Sequence, residues 1–355
     1  MAQLSSIPLA QLYDLLQPIT VPSQPKFLNW SQTFACSPLA IFEPETEYQC
    51  ELILELARRE GKVVRAVGVG HSPSDLACTT GYMLRTTKLN RLLEVSMFRL
   101  IRLNFVCTPG HGSWFIISTR RRALLMLILG LQVHADKRYV IAQAGITLET
   151  LHAELANNGL AMIIVGSISD QTLGGIVTTA THGSGINYGV ISTHVMGLEL
   201  LLADGSRVFC SRQERPDLFI ASICGLGSTG LILTVTLEVE PAFRLKEVRQ
   251  SIGFHECVRS MDSLVTASEH VRFWWFPAAD TMRIFSADRT AEVSPCAQIA
   301  PIAQLTPFAA SQSSGKLAVG FAFRISRDSA SPLRGKIHLV IEHLHWPLCG
   351  MAIQL

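Results

Sequence analysis

The sequence predicts an α+β fold with mixed sheets, and three observations carry this prediction. Residues 47–61 place apolar side chains at helical spacing and end in Gly61. The runs 63–67 and 231–239 are short, apolar and rich in β-branched residues, which is typical of buried strands. The Asp204-Gly205 pair is a turn signal between two further apolar runs. Helices and strands interspersed in this way indicate an α+β domain.

The other elements follow from caps and turns in chain order. Thr147 is the predicted N-cap of a helix that places Leu148, Leu151, His152 and Leu155 on one face. Gly159 lies at the position expected for the C′ glycine of that helix. The remaining predicted elements are strands 139–144, 195–202 and 207–210 and a helix over 216–224.

Composition limits the classes of function. The chain has 355 residues, of which 48% are hydrophobic and 16% charged, so it is long enough for two domains with sizeable cores. The net charge of +2 gives no field that would favour nucleic acid as a partner. Binding to a membrane surface, or a large core that contains a cofactor, would each explain the low charged fraction. The N-terminus lacks the features of a secretory signal, and the apolar run 123–131 is too short to span a bilayer.

Cysteine and histidine patterns indicate neither a disulfide framework nor a metal site. Nine cysteines are scattered without a C-x-x-C pair, which predicts reduced core thiols of an intracellular protein. Cys36 with Cys50, or Cys210 with Cys224, could bridge, but nothing in the sequence selects those pairs. His182 and His194 have no carboxylate or cysteine at ligand spacing, so we expect no metal. A serine-hydrolase G-x-S-x-G motif is absent.

Two glycine- and hydroxyl-rich segments predict a nucleotide cofactor. Residues 166–189 carry almost no charge, and their glycines argue against a packed helix, while the apolar stretch 173–177 argues against a disordered linker. Such a backbone suits close approach to a flat or phosphorylated group. Residues 64–75 have the same character, because Gly68 and Gly70 let backbone amides converge on a pyrophosphate.

Two other motifs are assigned structural roles. Residues 225–230 match G-x-G-x-x-G, but a helical pattern precedes them and a strand follows, so a Rossmann turn is rejected. We expect a turn that packs on the cofactor or on the neighbouring strand. Pro73 likewise excludes a Rossmann turn after Gly70. The aromatic run 273–277 is predicted to be core packing.

Two stretches, roughly 95–132 and 293–355, do not fit the pattern of the remaining chain. The first has no period or caps, and the second is rich in Ser, Ala and Pro. Both begin with Val-Ser directly after a glutamate, and Val-Ser can be encoded as GTAAGC, which resembles an intron donor. We hypothesise that both are translated intron; joining Glu94 to Val133 then gives a strand-turn-strand pattern. The alternative is a divergent surface loop and a disordered tail.

Four segments together resemble the aldonolactone oxidase family of the vanillyl-alcohol-oxidase superfamily, which includes D-arabinono-1,4-lactone and L-gulonolactone oxidases. These segments are VGVGHSPSD (67–75), 144–162, 166–185 and 225–243. The resemblance covers about residues 10–94 and 133–292. It implies a two-subdomain PCMH-type FAD-binding domain followed by the start of an α+β substrate (cap) domain. The implied domains are an N-terminal segment 1–24, the FAD domain 25–243 with the insert 95–132, a partial substrate domain 244–292 and a non-native or disordered tail 293–355.

The resemblance also implies the cofactor site. His71 occupies the position at which lactone oxidases of this group attach FAD covalently through its 8α-methyl group. Gly68 to Ser72 would hold the pyrophosphate, Leu231 and Ile232 would touch the adenine or isoalloxazine, and small residues at Ala144-Gly145 would influence oxygen access. The implied cofactor-binding residues are Gly68, Val69, Gly70, His71, Ser72, Gly174, Gly175, Thr179, Thr181, His182, Gly183, Ser184, Leu231 and Ile232.

The implied reaction is FAD-dependent oxidation of an aldono-1,4-lactone of the D-arabinono type by dioxygen. Its products would be an ascorbate-like compound, D-erythroascorbate, and hydrogen peroxide. The family's acid–arginine pair and its C-terminal His-Trp-x-Lys motif are not found, so no catalytic residue is assigned. His345-Trp346 matches only the first two residues of that motif. The family implies association with a mitochondrial membrane. The alternatives are a truncated non-catalytic flavoprotein, the product of an incorrectly predicted gene, or another PCMH-fold sugar or alcohol oxidase.

Overall fold

Residues 2–22, 25–96 and 138–290, with the strands 320–326, 338–344 and 351–354, are described by the computed structural model of the chain. They divide into two units. The first unit takes residues 1–163, 167–181 and 190–241, and the second takes 164–166, 182–189 and 242–355. The α+β class predicted from the sequence is confirmed, because helices and both parallel and antiparallel strands alternate along the described chain.

The first unit contains short strands interspersed with helices. Its helices are α1 (Ala2–Ser5), α2 (Leu9–Leu16), α3 (Glu47–Glu60), α4 (Leu148–Asn157), α5 (Leu173–Thr178) and α6 (Pro216–Ser222). Its strands are β1 (Phe27–Leu28), β2 (Ala35–Cys36), β3 (Ala40–Phe42), β4 (Val64–Val67), β5 (Tyr82–Arg85), β6 (Leu92–Ser96), β7 (Arg138–Gln143), β8 (Leu160–Met162), β9 (Val195–Leu201), β10 (Arg207–Ser211) and β11 (Leu231–Pro241). Single 3-10 turns lie at Gln17–Ile19, Asp75–Ala77, Thr86–Lys88 and Ile191–His194.

A three-stranded parallel sheet, ordered β3-β5-β4, packs with helix α3. Thr46 begins α3 with a capping box, because its hydroxyl accepts from the Gln49 amide while the Gln49 side chain accepts from the Thr46 amide. Gly61 ends the helix with a φ of +63°, as the sequence predicts. The apolar face of α3 is fully buried together with Leu84 of β5.

The larger sheet has the order β10-β9-β11-β7-β6, with β8 paired to the far end of β11. Strand β11 is central and pairs antiparallel with β7, β8 and β9. Helix α4 begins as predicted, since the Thr147 hydroxyl accepts from the Thr150 amide at 3.3 Å. Gly159 follows that helix with a φ of +65°, which is also as predicted.

The expectation that residues 166–189 contain no packed helix is wrong, because α5 lies within them. Leu173, Ile176 and Val177 of this helix are each at most 1% exposed. Burial of three such side chains stabilises a structure by about 2 kcal/mol each, which outweighs a cost of about 1 kcal/mol for each helical glycine. The two glycines of α5 therefore weaken the helix without preventing it.

The second unit is built on an antiparallel sheet. Its helices are α7 (Phe254–Arg259) and α8 (Met261–Leu264), and its strands are β12 (Arg244–Gly253), β13 (His270–Phe276), β14 (Thr281–Thr290), β15 (Gly320–Ser326), β16 (His338–Leu344) and β17 (Met351–Gln354). The sheet order is β12-β14-β13-β17, and β15 pairs with β16. Phe273 is fully buried with Met282 and Ile284, which fits the predicted core role of the aromatic strand. The neighbouring Trp274 instead lies on the other face, under the Arg272 guanidinium.

Every helix within the described ranges is too short or too polar to cross a bilayer. Strands β15 to β17 fall inside the stretch 293–355, most of which lies outside the described residues. The interpretation of that stretch as a non-native or disordered tail stays a prediction.

Strands β6 and β7 flank the segment 97–137, which lies outside the described residues. They pair antiparallel, with Val95 opposite Val140 and Ser96 opposite Tyr139. If residues 95–132 are removed, Val133 takes the place of Val95 and His134 the place of Ser96. The same register then closes on a two-residue loop, Asp136-Lys137. The register therefore supports the interpretation of 95–132 as an insert.

Deleting residues 95–132 is expected to stabilise the protein. Shortening the connection to a two-residue loop lowers the free-energy cost of closing the loop by about 2 kcal/mol. A gain of that size raises the midpoint of thermal unfolding by roughly 5 °C. Differential scanning calorimetry of the two proteins measures this shift. The matched control deletes 95–131, which leaves Gln132 opposite Val140 and moves Val133 to the other face of the strand. Equal midpoints for both deletions would contradict the proposed register.

Glu55 of α3 binds Arg59, which ties the N-terminal segment to α3. Its side chain is 7% exposed and accepts hydrogen bonds from Arg58 and from Arg59 Nε, the latter at 2.6 Å. Arg59 also donates to the carbonyl oxygens of Leu4 and Ile7. The hydrogen bond from Arg58 is the largest effect that lowers the pKa of Glu55, which falls from 4.5 to about 2.

Glu55→Gln is expected to destabilise the protein at neutral pH. Because the folded-state pKa lies below the unfolded one, the carboxylate contributes about 3 kcal/mol above pH 4.5, and this contribution disappears as the pH falls towards 2. Urea unfolding at pH 7 and at pH 3 measures the free energy of unfolding of the parent and of the variant. Between pH 7 and pH 3 this free energy should fall less for the variant than for the parent. Glu154→Gln on the exposed face of α4 is the control and should change neither value.

Candidate functional site

A cavity of the first unit opens where β4 ends. It has a volume of about 330 Å³ and is lined by β4, the loop 68–73, helix α5 and the start of β11. All of its lining residues belong to the first unit. Two segments that are distant in sequence, the loop 68–73 and residues 171–181, which include α5, therefore meet around one space, as their shared composition predicts.

Most of the predicted cofactor-binding residues line this cavity. They are Gly68, Val69, Gly70, His71, Ser72, Gly174, Gly175, Thr179, Thr181, Leu231 and Ile232. His182, Gly183 and Ser184 are not among the lining residues and belong to the second unit. Their predicted role in binding FAD stays a prediction.

Three glycines allow the walls of the cavity to approach one another. A Cβ atom on Gly68 would overlap the Thr172 hydroxyl, and one on Gly145 would overlap the Thr86 carbonyl. A Cβ on Gly174 would lie 2.9 Å from the Cβ of Ala144. Larger residues at these positions would force apart the backbone segments that meet there.

The first turn of α5 is fastened to the segment after β7 by backbone hydrogen bonds. The Gly174 amide donates to the Ala144 carbonyl at 2.7 Å, and the Leu173 amide donates to Ile146 at 2.8 Å. The hydroxyls of Thr178 and Thr179 bond carbonyls within the helix. These groups already donate to protein carbonyls. The Gly174 amide is therefore not free to bind a ligand, but the absence of a side chain lets a ligand lie close to the Gly174 backbone.

His71 combines burial with an imidazole nitrogen that lacks a partner. Its side chain is 7% exposed, and Nδ1 is buried without a hydrogen-bond partner. Nε2 lies 3.9 Å from the Asp170 carboxylate, and the ring stacks on Trp30 with centroids 5.0 Å apart. Burial lowers the pKa of His71, and the Asp170 charge opposes this shift. The imidazole is therefore neutral at pH 7, which leaves one ring nitrogen with a lone pair.

A turn between β1 and β2 holds the loop that carries His71. Asn29 is 2% exposed, and its amide nitrogen donates to the Ser72 carbonyl at 3.0 Å. Its side-chain oxygen accepts from the amides of Thr33 and Phe34. The Trp30 amide donates to the Gly70 carbonyl at 2.9 Å. Sequence reasoning missed both residues, because their contacts are made across 40 and 43 positions of chain.

Other lining residues were also missed by sequence reasoning. They include Arg65, Thr86, Gln171, Thr172, Thr178, Leu226 and Gly227. Arg65 lies on β4 and is the only permanently charged side chain among the described residues that line the cavity. Leu226 and Gly227 come from the G-x-G-x-x-G segment, which follows α6 and precedes β11, so it forms a turn and not a Rossmann fingerprint. This turn lines the cavity, which agrees with the expectation that it packs on the cofactor.

The residues present fit FAD. Close-packed glycines give room for a flat or phosphorylated group, Arg65 supplies a positive charge for a pyrophosphate, and His71 offers an unpartnered buried nitrogen. Among the described residues, no group of three His, Cys, Asp or Glu side chains is arranged to hold a metal ion. The chemistry of the lining therefore favours an organic, anionic cofactor.

Comparison with known sequences supports this assignment. Residues 38–101 and 110–211 match the FAD binding domain family, and residues 235–312 match the D-arabinono-1,4-lactone oxidase family. The chain is 36% identical to L-gulonolactone oxidase of Mus musculus over 75% of its own length and 52% of that protein. It is 32% identical to D-arabinono-1,4-lactone oxidase of Yarrowia lipolytica over 74% of its length and 43% of that protein. The chain thus spans about half the length of the curated relatives it matches.

Solved structures show the same fold. A solvent-stable cholesterol oxidase superposes with a TM-score of 0.59 at 21% identity, over 78% of this chain and 49% of that one. Cholesterol oxidase from B. sterolicum gives a TM-score of 0.60 at 17% identity with the same coverage. This likeness confirms the predicted PCMH-type fold. The chain therefore has an FAD-binding domain and is similar in sequence to the L-gulonolactone and D-arabinono-1,4-lactone oxidases.

Proposed function

We propose that the protein oxidises an aldono-1,4-lactone with dioxygen and releases an ascorbate-like product and hydrogen peroxide. One observation supports this proposal: the same chain contains a cavity suited to FAD and a segment that matches the D-arabinono-1,4-lactone oxidase family. When bound, FAD supplies the acceptor for a hydride taken from carbon. The whole reaction is a proposal, because the chain spans only about half of its relatives.

Each part of the cavity has a proposed task. Gly68 to Ser72 and Arg65 would hold the pyrophosphate, while the start of β11 at Leu231 and Ile232 would contact a ring of the cofactor. His71 would hold the isoalloxazine covalently, since its neutral imidazole keeps a lone pair and Nδ1 is unpartnered. Trp30, stacked on His71, fixes the plane of the imidazole and excludes water from it. His182, Gly183 and Ser184 are proposed to line the dinucleotide.

D-arabinono-1,4-lactone is the proposed substrate, and D-erythroascorbate the proposed product, because that oxidase family matches residues 235–312. L-gulono-1,4-lactone is the second candidate, since identity to L-gulonolactone oxidases reaches 36% against 30–32% for the D-arabinono enzymes. We also propose, from the family alone, that the protein associates with a mitochondrial membrane.

Oxygen consumption by the purified 355-residue chain, supplied with FAD and each lactone in turn, tests the proposed function. We expect lactone-dependent oxygen uptake with one hydrogen peroxide formed for each oxygen consumed, and faster turnover of D-arabinono-1,4-lactone. Faster turnover of L-gulono-1,4-lactone would select the second candidate substrate. Bound FAD without turnover of either lactone would refute the oxidase and indicate a non-catalytic flavoprotein.

His71→Ala is expected to abolish covalent attachment of FAD. The parent protein should keep its yellow colour in the pellet after acid precipitation, whereas the variant should release its flavin to the supernatant. An absorption spectrum of the two fractions measures this. His152→Ala is the matched control, because His152 is a half-buried histidine of α4 outside the cavity. A variant at His71 that retains acid-stable flavin would place the attachment on another residue.

A further inference from the structure

Strand β12 forms one edge of the antiparallel sheet in the second unit. All of its residues, Arg244–Gly253, pair with β14 in an unbroken register. Among the described strands, none lies on the other side of β12, and every residue of β12 except Ile252 is exposed. A long, regular edge strand presents a row of backbone amides and carbonyls with which a further strand can pair.

This edge lacks several features that protect edge strands from pairing. The other strands that end a described sheet of three or more strands, β3, β4, β6, β10 and β17, contain only three to five residues each. Strand β12 has 10 residues, no proline and no bulge, and Val248 near its middle is 60% exposed. What remains to limit pairing is charge, carried by Arg244, Lys246, Glu247 and Arg249. The order of these charges therefore decides which strand the edge accepts.

The order of the charges is complementary to itself. In an antiparallel pair of identical strands, a two-fold axis passes through one position, and the residue there faces its own copy. With the axis at Val248, Glu247 of each copy faces Arg249 of the other, and no charged residue faces one of the same sign. An axis at Glu247 would oppose two glutamates, and an axis at Arg249 would oppose two arginines. The charges therefore favour one register.

The side chains at the centre of this register are available for contact. Arg249 binds Glu247 of its own strand at 2.6 Å, but its side chain is 69% exposed, so its guanidinium keeps donors for a second carboxylate. Two exposed Val248 side chains would meet at the axis and bury apolar surface. Residues 244–252 of each copy would pair, which would join the two sheets into one continuous sheet.

We propose that β12 binds β12 of a second copy of this chain and thereby makes the protein a two-fold symmetric dimer. Backbone hydrogen bonds hold the two strands together, and the Glu247–Arg249 pairs fix their register. An interface of this kind uses the same surface on both subunits, so it requires the self-complementary pattern that β12 has. The inference rests on the second unit alone and does not depend on the proposed oxidation of a lactone.

Sedimentation velocity of the full 355-residue chain over a series of concentrations tests the dimer. We expect a monomer–dimer equilibrium. Val248→Asp brings two carboxylates together at the axis and should raise the dimer dissociation constant by about tenfold. Val63→Asp, at a 71% exposed valine of the first unit, is the matched control and should leave that constant unchanged. Circular dichroism and the midpoint of thermal unfolding report whether both variants fold.

Exchange of the charges tests the register. Arg249→Glu sets glutamates of the two copies opposite each other and should weaken the dimer. The double variant Glu247→Arg with Arg249→Glu restores opposite charges and should recover most of the parent's affinity. Because both positions are exposed in the single chain, these variants decide the outcome even if Val248→Asp does not fold.

Oxidative cross-linking locates the axis directly. Val248→Cys should form a disulfide between two copies, because the Cα atoms of facing residues lie about 5 Å apart. Gln250→Cys is the control and should form none, since its two copies would lie about 13 Å apart along the strands. Mass spectrometry of the linked peptides separates these bridges from any that the native cysteines form.

Several outcomes would overturn the proposal. They are a chain that is monomeric at every concentration, a dimer that Val248→Asp does not weaken, and a bridge through Gln250→Cys in place of Val248→Cys. Amides of β12 that exchange slowly with deuterium in a monomer would show that another segment of the chain covers the edge, which also overturns it. A dimer that turns over no lactone would reject the proposed function and leave the dimer standing.

Discussion

The cavity depends on the contact between the first turn of α5 and the backbone that follows β7. Gly174 can lie against Ala144 only because it has no side chain, and its amide then reaches the Ala144 carbonyl at 2.7 Å. Thr172, just before this helix, lies against Gly68, so the loop after β4 is held by α5 on one side and by the turn between β1 and β2 on the other. Loss of this one contact would separate both walls of the cofactor space.

His71 shows how a reactive group is kept in place by neighbours that are not themselves reactive. Asn29 holds the loop through its side-chain amide and Trp30 through its backbone amide, and the Trp30 ring also stacks on the imidazole. Asp170 approaches Nε2 and leaves Nδ1 without a partner. A nitrogen that is buried, neutral and unpaired costs folding free energy unless a ligand satisfies it. The loop is thus built for an occupied state.

Much of the fold could be predicted because its signals are local. Thr147, Gly159 and Gly61 mark helix ends through hydrogen bonds and backbone angles that span a few residues. Helix α5 was missed because its stability comes from the burial of Leu173 and its neighbours, which local propensity does not report. The Asn29–Ser72 contact was missed for the same reason, since only the folded chain brings these two residues together. Glycine-rich composition indicated where the cofactor lies, but not which side chains hold its loop.

The position of β11 in the larger sheet has a consequence for how the protein is made. The parallel sheet β3-β5-β4 is complete once residue 85 has been synthesised, so it can fold while the rest of the chain is still on the ribosome. The larger sheet must wait for β11, because this late strand separates β9 from β7 and also carries β8. Leu231 and Ile232 at its start complete the cavity wall. Cofactor capture is therefore one of the last events of biogenesis, and until then the nascent first sheet presents an unfilled face for chaperones to protect.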